Sequence, residues 1–156
     1  MSAQENARIA RIPYEAFNTR HFDDAAAAVA DDFEMRNMAT GEIFRGPNGI
    51  KKALQQWADA FPDGKAEIRS VIADENGAVV EFMGHGTNTG PLATPAGTLP
   101  ATNRTADLPF CDVVTIRNGK IATTHEYLDM STMLRQLGFM PEAAGAGTAG
   151  AGAYAK

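Results

Sequence analysis

The stretch RTADLPFCDVVTIRNGKIATTHEYLDM, residues 104–130, decides the fold. Two runs rich in β-branched residues flank Asn118-Gly119, a dipeptide that accepts the backbone twist of tight hairpin turns. The pattern predicts two long antiparallel strands, and their pairing has two readings. A three-residue loop with a glycine bulge sets Asp112 opposite Glu126, whereas a two-residue turn pairs Asp112 with His125. Val114 and Ile116 share the parity of Asp112, so an apolar neighbourhood predicts an inward-facing acid.

Upstream, AEIRSVIADE (66–75) and AVVEFMGHGTNTG (78–90) repeat the arrangement around Asn76-Gly77, a strong signal for another hairpin. The turn-rich segment PLATPAGTLPATNR (91–104) separates the two hairpins. Before them, GIKKALQQWADAF (49–61) places Ile50, Leu54, Trp57 and Phe61 on one helical stripe, entered by Gly46-Pro47 and stopped by Pro62-Asp63-Gly64. FEMRNM (33–38) and EIFRG (42–46) read as short strands around Thr40-Gly41. Two helices come first, over about 4–19 and about 23–30, and Pro13 is expected to kink or interrupt the earlier one. A last short helix, STMLRQLG (131–138), follows Asp129, which suits a capping role.

Helices segregated from hairpin-connected strands define an α+β fold, a curved and mostly antiparallel sheet packed on the N-terminal helices and one long helix. Such a sheet forms a cone whose open end is the natural pocket. Residues 1–142 read as a single domain. From Ala143 to Lys156, 7 Ala and 4 Gly among 14 residues predict a flexible tail with little to bury.

The chain has 156 residues, 44% apolar and 21% charged, with 14 basic against 19 acidic side chains and a net charge of −5. Dispersed cations in an acidic chain argue against nucleic acid as a partner. Cys111 is the single cysteine, which excludes an internal disulfide and any multi-cysteine metal site, and three histidines leave little for a histidine-rich one. No metal or cofactor is called for. The charged N-terminal segment lacks the apolar core of a secretory signal and no run is long enough to span a membrane, so a cytoplasmic location is expected.

Two carboxylates opposed inside a cone repel, and one should keep its proton near neutrality, which makes Asp112 and Glu126 candidates for proton abstraction beside a carbonyl. In the two-residue register, Asp112 and His125 would form a base and its orienter. His85 and Asn88 sit in GHGTNTG, whose glycines mark either a bend or the close approach of a ligand. That segment lacks the Lys-Ser/Thr ending of a phosphate loop. Tyr14, Phe17 and Trp57 are core residues by type and pocket walls second. Cys111 alternates away from Asp112 and reads as a small packed hydrophobe.

In order and spacing, YEAFNTRHFD (14–23), GIKKALQQWADAFPD (49–63), GTNTGPL (86–92), PATNR (100–104), NGKIATTHEYLD (118–129) and LRQLG (134–138) carry a likeness. Over about residues 5–140 the chain resembles the SnoaL-like polyketide and ester cyclases, within the nuclear-transport-factor-like, cystatin-like roll shared with ketosteroid isomerase and scytalone dehydratase. The resemblance implies a small-molecule pocket, a homodimer formed through the sheet, and ring closure by aldol chemistry without metal or cofactor. It puts Glu126 at the family's catalytic aspartate, Asp112 at a pocket histidine, and Asn88 where many relatives carry histidine.

The resulting expectation is an enzyme acting on an aromatic or polyketide-like carbonyl compound. Glu126 would be the base and Asp112 its coupled acid, with Asn88 or His85 polarising oxygen and Trp57 and Phe17 as walls. The competing readings are a noncatalytic binding or dimerising module and a cofactor-free hydroxylase, since this fold hosts many chemistries.

Overall fold

The Ser2 hydroxyl accepts the amide of Glu5 at 3.1 Å and starts the first helix, satisfying one of its unpaired donors. That helix, α1 (Ala3–Thr19), runs unbroken past Pro13, against the expected interruption. Proline removes a single helical hydrogen bond, and the burial of Ile9, Ala10, Tyr14 and Ala16 holds the turns on either side. Arg20, left-handed at φ 64°, ends the helix and donates its amide to the Phe17 carbonyl. The computed structural model describes residues 1–141, so the tail expected over 143–156 lies outside the described residues.

After α2 (Phe22–Ala28) the chain enters β1 (Val29–Asn37) directly, four residues sooner than FEMRNM suggests, because Val29 already pairs with Ile121. Then follow β2 (Ile43–Arg45), α3 (Gly46–Ala60), β3 (Lys65–Ala73), β4 (Gly77–Thr87), β5 (Leu92–Thr94), β6 (Gly97–Leu99), β7 (Thr105–Arg117), β8 (Lys120–Leu128) and α4 (Met130–Gln136). Six strands form one curved sheet in the order β2-β1-β8-β7-β4-β3, with β1 parallel to β8 and every other pair antiparallel. Helices α1 and α3 pack against this sheet. Phe33, Val80, Ile121, Met133 and Leu137 are among the largest side chains with no exposure to speak of.

The two Asn-Gly dipeptides behave differently. At 118–119 both residues take positive φ, 52° and 73°, and Arg117 pairs with Lys120, giving a two-residue turn rather than the three-residue loop. The register then shifts between Thr115 and Ile116: Ile116 faces Ile121, but Thr115 faces Thr123, leaving Ala122 as an extra residue in β8. Consecutive burial of Ile121 and Ala122 marks this bulge. Beyond it Asp112 lies opposite Glu126, the expected pair reached by a different route.

At 76–77 the expected hairpin joins β3 and β4, with its tip one residue earlier than the dipeptide. The Asp74 carboxylate accepts the amides of Asn76 and Gly77 at 2.7 and 3.0 Å, and the Asp74 amide donates to the Gly77 carbonyl at 3.0 Å, leaving Glu75 and Asn76 at the tip inside the Ala73–Ala78 pair. The segment after β4 forms the small β5–β6 hairpin, whose Leu92 is buried, with β5 packed on α3. Asp129 caps α4 by accepting the Thr132 amide at 3.1 Å. Among the described residues no helix is long and apolar enough to cross a membrane.

Candidate active site

Alternation along β7 turns Ala106, Leu108, Phe110, Asp112, Val114 and Ile116 inward, and past the bulge β8 contributes Thr124 and Glu126 to the same side. Asp112 and Glu126 are thus neighbours across the strand pair, each about 95% buried (4% and 5% exposed). Both line a cavity roofed by α1 and α3, about 870 Å³ with its mouth included. Its other walls are almost wholly apolar, among them Phe33, Met35, Ile50, Leu54 and Leu108.

Tyr14 reaches in from α1 and donates its hydroxyl to Asp112 Oδ2 at 2.6 Å. The second oxygen, Oδ1, is buried without a partner. Burial pushes the Asp112 carboxyl from 3.8 up to about 7, while the Tyr14 hydroxyl pulls the other way by favouring the ionised form. Glu126 is held well above the usual carboxylate range, first by burial and then by the Asp112 charge, with the Trp57 indole opposing. Burial, reinforced by Asp112, also raises Tyr14, which stays a neutral donor. The pair therefore takes up and releases protons as a unit, and one proton stays on it at neutrality.

Aromatic rings frame these acids. Phe82 on β4 stacks on its register partner Phe110 with centroids 4.8 Å apart, Tyr14 tilts against Phe82 at 4.7 Å, and Trp57 meets Phe110 edge-on at 5.6 Å. Phe17 and Phe61 complete the wall. The glycines of GHGTNTG serve this packing. A Cβ on Gly84 would come within 3.1 Å of the Phe110 ring, and one on Gly86 within 3.0 Å of Phe61. They let neighbouring side chains come close to the backbone, and both line the cavity on a strand that stays in register with β7.

Of the sequence candidates, Asp112, Glu126, Tyr14, Phe17 and Trp57 meet at the cavity. The other three are not brought to the acids. His125 is exposed on the opposite face of β8, because the register sets Val113, not Asp112, against it. His85 lies at the rim, but its ring is held between Asp107 at 2.5 Å and Glu67 at 2.9 Å, which raise its proton affinity. Asn88 is buried outside the cavity lining: its amide donates to the Ala60 and Gly90 carbonyls, and its oxygen accepts from the amide and hydroxyl of Thr102. Phe82, Phe110 and Thr124 were not singled out from the sequence, although the parity of Asp112 and Glu126 contains Phe110 and Thr124. Among the described residues no three His, Cys, Asp or Glu side chains are grouped to hold a metal ion.

A model of the family described as SnoaL-like polyketide cyclase matches residues 7–137. No curated protein sequence is significantly similar to the chain. Solved structures of similar shape include a candidate SnoaL-like polyketide cyclase from Jannaschia sp. CCS1, with a TM-score of 0.77 at 13% identity over 89% of this chain and 95% of that one. AclR, a candidate hydroxylase from Streptomyces galilaeus, gives 0.74 at 17% identity over 90% of this chain and all (100%) of its own. An LEH-like epoxide hydrolase of M. tuberculosis gives 0.66 at 18% identity over 86% and 90%. At these identities the likeness is one of fold, the α+β architecture of a curved sheet on N-terminal helices.

Proposed function

The chain belongs to the SnoaL-like polyketide cyclase family, and from that premise we propose a cofactor-independent acid–base enzyme that moves a proton on an aromatic or polyketide-like carbonyl compound. Neighbours of this fold named as cyclase, hydroxylase and epoxide hydrolase do not select the reaction. The cavity carries the reading, through one observation: two buried carboxyls face each other there, and only one of them receives the Tyr14 hydroxyl.

That asymmetry assigns the roles in reverse of the sequence expectation. Asp112, whose ionised form Tyr14 favours, is the base that removes a proton from the carbon beside the carbonyl. Glu126, held protonated by burial and the Asp112 charge, donates to the oxygen where the enolate charge develops. The proton taken by Asp112 and the one given by Glu126 leave the pair's charge unchanged over the step. The aromatic walls hold a flat substrate and keep water from the enolate.

Deuterium exchange at the carbon beside the carbonyl of aromatic β-keto esters, followed by proton NMR, tests the assignment. Enzyme-dependent exchange should fall about a hundredfold or more in Asp112→Asn. Exchange that survives both Asp112→Asn and Glu126→Gln would sink it and favour the noncatalytic module. Pairing of two copies is part of the same proposal. Ile72, Val113 and Tyr127, exposed on the outer sheet face, supply apolar surface for it, and the size of the protein in solution checks it.

A further inference from the structure

Among the described residues, the acidic pair has no cation beside it. Basic side chains among the cavity lining are Lys65 and His85, and both are engaged elsewhere. Lys65 is exposed at the rim and donates to the Asn18 carbonyl at 2.7 Å, while His85 is held by Asp107 and Glu67. Asp112 Oδ1, on a side chain only 4% exposed, receives no hydrogen bond from any donor among the described residues. A carboxylate taken from water without a counter-charge is costly, and the cost falls when a cation is placed against it.

The walls favour the same ligand charge. Tyr14, Trp57, Phe61, Phe82 and Phe110 line the cavity, and aromatic rings attract cations through their negative faces. An anionic ligand would meet like charge at the acids. We propose that the natural ligand carries a protonated amine on an aromatic or apolar body. The ammonium N–H donates to Asp112 Oδ1 and the body lies among the rings. This deepens the reading of the cavity as the substrate site and rests on it.

Charge balance makes the binding measurable. When the ammonium enters, it displaces the proton that Asp112 carries below about pH 7, while Glu126 keeps its own, so one positive charge replaces another. Tyr14 from α1 is the titratable side chain facing the pair. The helix α3 brings Trp57, β1 brings Met35, β4 brings Phe82 and β8 brings Thr124, none of which titrates, and Cys111 beside Asp112 alternates to the other face of β7. The partly exposed His85, at the rim, is tied to its own acids.

Calorimetric titration with phenethylammonium, 2-phenylethanol and phenylacetate tests the proposal with probes of similar size and different charge. At about pH 8, where the pair is more ionised, phenethylammonium should bind about tenfold or more tighter than the alcohol, with phenylacetate weakest. The advantage should shrink toward parity at about pH 5, and heats in buffers of different ionisation enthalpy should show a proton released. Asp112→Asn should lose the advantage and still bind the alcohol, whereas Glu126→Gln, which leaves the Asp112 charge in place, should keep it. Equal binding of amine and alcohol at the higher pH, an advantage that survives Asp112→Asn, or one that is lost in a folded Glu126→Gln, overturns the proposal. Deuterium exchange that persists without amine preference overturns this inference alone. Failure of every probe to bind, together with absence of exchange, removes the substrate-site reading and this inference with it.

Discussion

Tyr14 donates its hydroxyl to Asp112 across 2.6 Å, joining the first helix to the seventh strand over 98 residues of chain. This bond breaks the symmetry of the acidic pair. Removing it in Tyr14→Phe should raise the Asp112 carboxyl further above about 7. A hydrogen bond to a charged group contributes about 1.5–3 kcal/mol, so the titration should move up by about one to two pH units. Carboxyl-carbon NMR checks this, and an unmoved Asp112 signal would contradict the role assigned to the phenol.

The buried pair makes stability depend on pH in a fixed direction. Asp112 is raised in the folded protein, from 3.8 to about 7, and an unfolded chain gives up that proton first. The folded state therefore binds more protons between those values, and its stability falls as pH rises through that window. Glu126, raised in the same direction, adds to the trend. Asp112→Asn should gain stability relative to the wild type from about pH 4 to about pH 8. Thermal melts of both proteins over that range measure the difference, and a gap independent of pH would count against it.

Asn88 has a structural role in this fold. In Asn88→Ala, the Ala60 and Gly90 carbonyls and the Thr102 amide lose the side chain that serves them. With about 1–3 kcal/mol for each buried group left unpaired, the loss should be on the order of 3 kcal/mol. Denaturant unfolding should show it, with the carboxyl titrations unchanged in the folded protein. A shift of those titrations without loss of stability would bring Asn88 back to the site.

Gly90 lies against the end of α3, where a Cβ would stand 1.8 Å from the Asp59 carbonyl oxygen. Backbone cannot yield as a side chain can, so Gly90→Ala should cost about 3 kcal/mol or more. A melt within a degree or two of the wild type would show that the loop moves freely away from the helix.

The sequence and the structure agree where local chemistry is decisive. Asn118-Gly119 turns the chain because both residues accept positive φ, and alternation from Asp112 to Ile116 sets the inner face. The hairpin expected at Asn76-Gly77 forms too, with its tip at Glu75 and Asn76, where the Asp74 carboxylate captures two amides. His125 was a candidate only while the register was open, since one residue decides which face it occupies. The bond from Tyr14 to Asp112 was not legible, because periodicity gives the buried face of α1 but not its angle over the sheet. Asn88 drew attention by its neighbours in GHGTNTG, while its partners at Ala60 and Thr102 lie 28 and 14 residues away.

Ala122 acts as a phase shifter between the hairpin tip and the acids. On the tip side of it the inward set of β8 falls on odd numbers, as at Ile121; on the far side it falls on even ones, as at Thr124 and Glu126. Dropping the unpaired residue would leave Ile116 opposite Ile121 and Asp112 opposite Glu126, each still on its own face. Drawing it into the ladder would instead send Glu126 outward and bring His125 in. One alanine thus separates two pairings with different proton chemistry in the same scaffold, a carboxyl with a carboxyl or a carboxyl with an imidazole.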